Sequence, residues 1–382
     1  MNAKEIILHI PSWFPNEEDA FAGDFIVRHL QAIQAKTPIL ALLFEKNKTG
    51  QDIQFYLEKK ENISCLRICY PVKEWHPYWR KWRERNALKY AVQQSIHYLQ
   101  SQQYKINAVH SHVLHPAASI ARTIKTMIHC PWIHSEHWSA LTKENGEFQG
   151  KSPLFKRYYK QLIRHADAYT FVSDYLQKSF HAHFKIRQAS YLVSNTVDTS
   201  LFYPTTKKNE ERPFRYIHIS SLGNVKQVEG IIEAFIQLNL DNAELWLVGG
   251  SIARNDALRI HYANEKLQFL PAQDYASIAA LMQESDALVL NSLYETQSCV
   301  AIEALCCGLP VIAPNVAALP EFLNADNAYL FEQGKIEQGL IAAFNTSRNY
   351  ARMDVAAAAQ ANYSFEKIGK EFLKIYQSIG VA

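Results

Sequence analysis

The sequence predicts an α/β protein of two doubly wound domains, each a mostly parallel sheet with helices on both faces. Short apolar runs of strand length alternate with segments of helical period through both halves, the pattern that builds strand–helix–strand units. A polar, proline-bearing stretch near the middle interrupts that alternation. A chain of 382 residues, 48% hydrophobic and 20% charged, is long enough for two domain-sized cores.

Taken in order, "EIILHI" (5–10), "PILALLF" (38–44), "ISCLRICY" (63–70), "INAVHSH" (106–112), "PWIHSEH" (131–137) and "AYTFVS" (168–173) read as strands, separated by helices such as 24–35 and 115–127. The stretch "DTSLFYPTTKKNEERPF" (198–214), with two prolines and a mixed charge run, reads as an exposed linker and sets the domains at 1–203 and 204–362. Beyond it, "RYIHISSL" (215–222), "ELWLVGG" (244–250), "LQFLP" (267–271), "DALVLN" (286–291), "PVIAP" (310–314) and "AYLF" (328–331) alternate with helices 227–238, 274–284 and 298–306. The segment 363–382 opens with a helical pattern, apolar at 365, 368, 372 and 375 or 376, with Ser364 as its expected N-cap. No G-x-G-x-x-G follows a predicted strand, and no short-period repeat is visible.

The first residues offer only a five-residue apolar run before Pro11, too short for a signal peptide, and no stretch reaches the length of a membrane span. A cytoplasmic address is the expectation. Six cysteines (65, 69, 130, 299, 306, 307) show no C-x-x-C and no zinc-ribbon spacing, so they read as small buried residues in a reducing compartment. On a strand, His110 and His112 would face one side, and His134, Glu136 and His137 follow nearby. With no H-x-x-x-H pair and no aspartate closing the first group, the favoured reading is buried strands ending in polar residues, and no metal is expected.

Net charge is uneven. The first 200 residues carry 26 lysines and arginines against 17 carboxylates, and the remainder 14 against 20. A basic half beside an acidic one suits an anionic partner, such as a lipid headgroup surface or a phosphorylated substrate. Nucleic acid is not expected, since no recognition motif accompanies the charge.

Two glutamates stand out in "ETQSCVAIEALCCGLP" (295–310). Glu295 follows a strand, at the carboxyl end where doubly wound sheets place their ligand crevice. Ser298 is expected to cap the next helix and Gly308 to end it. Glu303 lies within that helix, and its neighbours at three and four residues are Cys299, Val300, Cys306 and Cys307. A solvated helix face is the common fate of such a glutamate, but here it would expose apolar side chains, and an unpaired buried carboxylate costs several kcal/mol. The other environment is an apolar-lined cleft in which the carboxylate accepts two hydroxyls of a vicinal diol. The helix N-terminus after Glu295 suits phosphate oxygens. Diol near one end and phosphate near the other describes a nucleotide sugar.

At this point a resemblance becomes specific. "NSLYETQSCVAIEALCCGLPVIAPN" resembles the E-x7-E signature of the retaining glycosyltransferases of family 4, which have the GT-B fold of two Rossmann-like domains facing each other across a cleft. "LHIPSWFPNEEDAFAGDFIVRHLQAI", "AVHSHVLHPAASIAR", "PWIHSEHWSAL", "LVSNTVDTSLFYP" and "SLGNVKQVEGIIEAFIQL" resemble further family segments in the family's order, and the terminal helix resembles one that crosses back to the N-terminal, acceptor-binding domain. The resemblance implies that Glu303 binds the donor ribose, and that Glu295 sits by the transferred sugar with the N–H groups of Thr296, Gln297 and Ser298. It implies that Lys226 neutralises the leaving diphosphate, that Gly23 admits the donor to a loop backbone, and that His137 hydrogen-bonds the donor sugar. Ser221 and Leu270 are assigned to the same donor site. No metal or other cofactor is implied, and no protein general base. Where the family has Gly-Arg before the lysine, this chain has Ser220-Ser221, so one of two phosphate cations is missing.

The expected function is therefore transfer of a hexose or N-acetylhexosamine from a nucleotide diphosphate sugar to a glycan or lipid-linked acceptor in cell-surface polysaccharide synthesis. Residues 73–90 hold six basic and two acidic residues and three of seven tryptophans, and "FKRYYKQLIR" (155–164) is similar. Both suit an anionic membrane surface on the cytoplasmic side. The alternatives are a non-catalytic sugar-nucleotide-binding protein, an epimerase of the same fold, or a metal-dependent hydrolase built on His110, His112 and His137.

Overall fold

The computed structural model describes residues 3–381 apart from 49, 73–76, 206–210 and 347–350, with the backbone alone of 77–79. The chain divides into two compact units, Met1–Asn195 with Phe365–Ala382, and Thr196–Ser364. These divisions differ from the sequence boundaries at 203/204 and 362/363. The reason is local: Thr196 Oγ1 and Val197 N both donate to Tyr363 O (2.7 and 2.9 Å), which ties the outgoing and returning chain together inside the second unit.

The first unit holds β1 (Lys4–Pro11), β2 (Ile39–Asn47), β3 (Gln54–Lys60), β4 (Ile63–Pro71), β5 (Tyr104–His112), β6 (Trp132–Glu136), β7 (Ala168–Phe171) and β8 (Ala189–Leu192). Their order is β3-β4-β2-β1-β5-β6-β7-β8, parallel throughout except for β3 against β4. The second unit holds β9 (Phe214–Ser220), β10 (Ala243–Gly249), β11 (Leu267–Leu270), β12 (Ala287–Val289), β13 (Val311–Pro314) and β14 (Ala328–Phe331). Its order is β11-β10-β9-β12-β13-β14, all parallel.

The helices are α1 (Asp24–Gln34), α2 (Pro77–Ser101), α3 (Ala117–Ile128), α4 (Glu147–Gly150), α5 (Pro153–Ile163), α6 (Asp174–His183), α7 (Val228–Leu238), α8 (Ile252–His261), α9 (Tyr275–Gln283), α10 (Cys299–Cys306), α11 (Ile336–Thr346), α12 (Arg352–Tyr363) and α13 (Phe365–Ser378). No described helix is long and apolar enough to cross a membrane. Each sheet is covered on both faces: along β1, Ile6, Leu8 and Ile10 join one core while Ile7 joins the other, with α1 and α13. That double burial is why the strands read as continuous apolar runs.

Strand order reverses between β1 and β5 in the first sheet and between β9 and β12 in the second. Such switch points open a crevice at the carboxyl ends of the strands, where doubly wound sheets bind ligands. The histidines and glutamates singled out above lie at these two places.

The last helix, α13, belongs to the first unit. It begins after Ser364, whose extended backbone separates it from α12. Phe372 and Tyr376 are fully buried against the α1 side. A β-carbon on Gly369 would come within 2.3 Å of the Ala32 carbonyl oxygen in α1. Glycine inside a helix ordinarily costs about 1 kcal/mol against alanine, so the close helix contact reverses the usual preference. Gly369→Val is expected to lower the unfolding free energy by about 3 kcal/mol, read from the midpoint of denaturant unfolding.

Candidate functional site

In the second unit the site is built from the loops that leave β9 and β12. Gly249 has φ +117°, and a β-carbon there would lie 1.9 Å from Ser220 O, so only glycine lets β10 end this close to β9. His218 Nδ1–H donates to Val289 O (2.8 Å), leaving Nε2 to accept from Ser220 Oγ (2.8 Å). Ser220 Oγ in turn accepts from Leu222 N (2.9 Å) and turns the chain out of the strand. Burial pushes His218 down to about 4, so its ring is neutral and acts as a fixed brace.

That turn delivers Lys226. Its Nζ donates to Glu295 Oε1 at 2.5 Å, and Ser292 Oγ donates to the same oxygen at 2.7 Å. The two loops are also joined by Leu293 N to Val225 O (2.9 Å). Both charged side chains are mostly covered yet reachable, at 25% and 12% exposure. A shielded lysine–carboxylate pair at a switch point can receive an anion on the lysine and a hydroxyl on the carboxylate.

Glu303 stands in the second turn of α10 and is 4% exposed, which excludes the solvated helix face. Its charge adds to burial in raising the Cys306 thiol to about 12, and burial chiefly raises Cys307 as well, so neither is a nucleophile. Helix α10 ends in a Schellman motif: Gly308 N bonds Leu305 O and Leu309 N bonds Ala304 O, both at 2.8 Å, with Gly308 at φ +69°.

The cap expected from Ser298 is corrected. Ser298 occupies the N-cap position but its side chain makes no cap bond. Ser173, Ser251 and Asp274, which do cap, have ψ of 157°, 159° and 167°, whereas Ser298 has 110°, which swings its hydroxyl off the helix axis. Of the remaining expected donor residues, Thr296 is part-exposed while Gln297 and Ser298 are buried. Ser221 is exposed in the β9 loop, and Leu270 ends β11, two strands from β9. Ser292 and His218 were not singled out from sequence; the three-residue spacing of Ser292 and Glu295 was the available signal.

In the first unit, His9, His110, His112 and His137 cluster at the β1/β5 switch point, joined by His29 from α1. His110 and His112 share a face as expected, with ring centroids 4.3 Å apart. Their partners differ from the set His110, His112 and His137. Among the described residues, the groups whose ligand atoms approach one another are His9, His110 and His112, and His29, His112 and His137. His9 and His29 were missed because each is a lone histidine in an apolar element. Burial lowers all five rings far below the usual histidine range, His9 to about 3 and His29 to about 4.

His137 is oriented by its neighbour: Glu136 Oε1 accepts the backbone N–H groups of His137 and Trp138, both at 2.9 Å, while Glu136 Oε2 lies 3.3 Å from His134 Nε2. Gly23 caps α1 at φ +68°, where a β-carbon would meet Trp13 O at 2.4 Å. Crowding by Trp13 is sufficient to require glycine.

Residues 203–358 match the sequence model described as "Glycosyl transferases group 1", and residues 56–201 the one described as "Glycosyltransferase Family 4". The N-acetyl-alpha-D-glucosaminyl L-malate synthase of Bacillus anthracis is 28% identical over 249 residues, covering 61% of this chain and 63% of that protein, a little under two thirds of its length. A D-inositol 3-phosphate glycosyltransferase of Corynebacterium jeikeium is 22% identical over 303 residues, covering 71% of this chain and 72% of that protein. In fold, the chain is similar to the sucrose-phosphate synthase of Thermosynechococcus elongatus, with a TM-score of 0.75 at 17% identity over 98% of this chain and 99% of that one. It is similar also to Anabaena HepE in complex with UDP and glucose, with a TM-score of 0.71 at 15% identity over 99% of this chain and 100% of that one. The two adjoining family matches and the two doubly wound sheets show that this chain belongs to the family 4 glycosyltransferases of the GT-B fold.

Proposed function

We propose that the protein transfers a hexose or N-acetylhexosamine from a nucleotide diphosphate sugar to a hydroxyl acceptor, with retention of anomeric configuration. The observation that carries this is the shielded Lys226–Glu295 pair at the β9/β12 switch point, with buried Glu303 in the following helix. Lys226 takes the charge that grows on the diphosphate as the glycosidic bond breaks. Glu295 and the N–H groups of Thr296, Gln297 and Ser298 hold the sugar and phosphates, Glu303 the ribose diol, with Ser221 and Leu270 on the nucleotide. For His137 and Gly23 of the first unit we propose the roles that the family resemblance implies, a hydrogen bond to the sugar and backbone access for the donor. The transfer proposed here needs no metal at the nucleotide-sugar residues of the second unit.

Because HepE was determined with UDP and glucose, UDP-glucose and UDP-N-acetylglucosamine are the donors to test first. Glu303→Ala, with Glu303→Gln as the shape-preserving variant, is expected to weaken UDP binding about 10–100-fold in calorimetry, as loss of charge-assisted hydrogen bonds would. Unchanged affinity in both folded variants removes the ribose assignment. Proton NMR of the product reads the anomeric configuration. A non-catalytic binder is the second reading, favoured by Ser221 in place of a phosphate-binding arginine; donor binding without product in the same preparation would establish it.

The acceptor we propose is a glycan or a lipid-linked sugar of cell-surface synthesis, met at the cytoplasmic face of the membrane. Arg85 lies over the Tyr158 ring at 4.6 Å, so the basic-aromatic segments of α2 and α5 meet; residues 73–76 lie outside the described residues. Around them Trp82, Tyr90 and Leu154 are exposed. Flotation with anionic vesicles is expected to carry the protein upward, less so in 0.5 M salt (about 4 Å screening length). Protein left at the bottom of the gradient favours a small soluble acceptor, of the kind named in the L-malate synthase of Bacillus anthracis.

A further inference from the structure

We infer that His29, His112 and His137 form a binding site for one zinc-class divalent ion in the first unit. The inference shares His137 with the proposed sugar-binding role and is otherwise separate from the glycosyl-transfer reading, since none of the nucleotide-sugar residues of the second unit enters it. The three histidines come from α1, the end of β5 and the residue after β6, and their ligand atoms lie within 4.8 Å of one another.

The ring nitrogens settle which group is competent. His29 Nε2 lies 2.9 Å from Ser194 O; a carbonyl only accepts, so Nε2 carries the proton and Nδ1 presents a lone pair. That Nδ1 is buried without a hydrogen-bond partner. His112 Nε2 lies 3.0 Å from His9 Nδ1, and His112 Nδ1 is likewise buried and unpartnered. Ligation selects the tautomer in which His112 Nε2–H donates to His9, which frees the lone pair on Nδ1. Both ring nitrogens of His137 are buried and unpartnered. A ligating imidazole whose other nitrogen is held by a carbonyl or a second acceptor is the usual outer-shell arrangement of a metal site. The competing group His9, His110 and His112 fails this test. His110 spends Nδ1 on Tyr376 OH and Nε2 on Ser135 Oγ, both at 2.7 Å.

Energetics point the same way. A buried polar atom without a partner is costly, and each of the three rings carries at least one; a single cation bound here would satisfy one on each ring. Arg28, next to His29 on α1, is paired to Asp24 at 3.6 Å, yet its charge still bears on His29 and opposes a cation there. Three imidazoles without a carboxylate or thiolate suit zinc, cobalt or nickel rather than magnesium or calcium, and leave a fourth position for water or an anion. Bonds of about 2.0–2.1 Å in a tetrahedron need ligand atoms about 3.3 Å apart, so the rings draw together on binding. With one nitrogen of His137 on the ion, its other keeps an N–H to donate.

The test uses the full chain, stripped with chelator and titrated with cobalt(II) and then zinc. The expected result is one cobalt per chain with visible d–d absorption, displaced by zinc, and a thermal midpoint raised by zinc. His29→Gln and His137→Gln are expected to weaken zinc binding about 100-fold, while His97→Gln, at an exposed position, leaves it unchanged. Uptake far below one equivalent, cobalt absorption absent from the wild-type chain, or affinity unchanged in folded His29 and His137 variants overturns the site; the first two would mean that water or a sugar hydroxyl meets these nitrogens. Where a variant fails to fold, the wild-type cobalt spectrum and stoichiometry decide alone. UDP binding by the second unit is measured in parallel, so loss of one reading leaves the other standing.

Discussion

Replacing Lys226 by alanine is expected to lower turnover about 10²–10³-fold, equivalent to about 3–4 kcal/mol of transition-state stabilisation, with donor affinity changed less than about tenfold. The split follows from the resting geometry. Lys226 already donates to Glu295 at 2.5 Å, so an arriving diphosphate must share the lysine, which limits its value in the ground state. As the glycosidic bond breaks, charge grows on the diphosphate and the lysine turns toward it. With serine at 221, no arginine in the β9 loop shares that task. Lys226→Arg should recover part of the rate by keeping the charge, though its planar fork fits the Glu295 and Ser292 contacts less well. Steady-state kinetics with calorimetric donor affinities make the separation; turnover within twofold of wild type in Lys226→Ala would remove the lysine from the mechanism.

Acidification is expected to unfold the first unit before the second. His9, His29, His110, His112 and His137 are held neutral by burial, with folded values far below 6.5. Below about pH 6.5 the unfolded chain takes up protons at these positions and the folded unit does not. Their contribution is therefore complete above that pH and is lost as pH falls toward the folded values, about 3 for His9 and about 4 for His29. Each site contributes a slope of about 1.4 kcal/mol per pH unit, so five together approach about 7, against a total stability of about 5–15 kcal/mol. The first unit should lose its fold near pH 5, while the second, with His218 as its corresponding ring, persists lower. Calorimetric scans from pH 8 to pH 4.5 should resolve two transitions that separate as the pH drops. A single transition with a midpoint unmoved down to pH 5 contradicts the burial of these rings.

The sequence revealed what burial on two faces writes into it. Strands such as β1 and β5 are continuous apolar runs because helices cover both sides, whereas the edge strands β3 and β8 have no fully buried residue and escaped notice. Helix α12, "RMDVAAAAQANY", is carried by alanine propensity and lacks an apolar stripe, and α8 and α11 were likewise passed over. Glu295, Glu303 and Lys226 were legible through their spacing and family resemblance. Ser292 and His218 were not, because their importance arises only when β9 and β12 become neighbours. His29 is the clearest case: 83 residues separate it from His112, and nothing local marks either as the other's partner.

The discontinuity of the first unit fixes an order of assembly during synthesis. Its final helix, α13, leaves the ribosome only after the whole of Thr196–Ser364, so the oily side of α1 waits for Phe372 and Tyr376 while the second unit is made. A nascent chain therefore carries an uncovered hydrophobic seam through nearly half of translation, and a prematurely terminated product would expose that seam to chaperones and proteases.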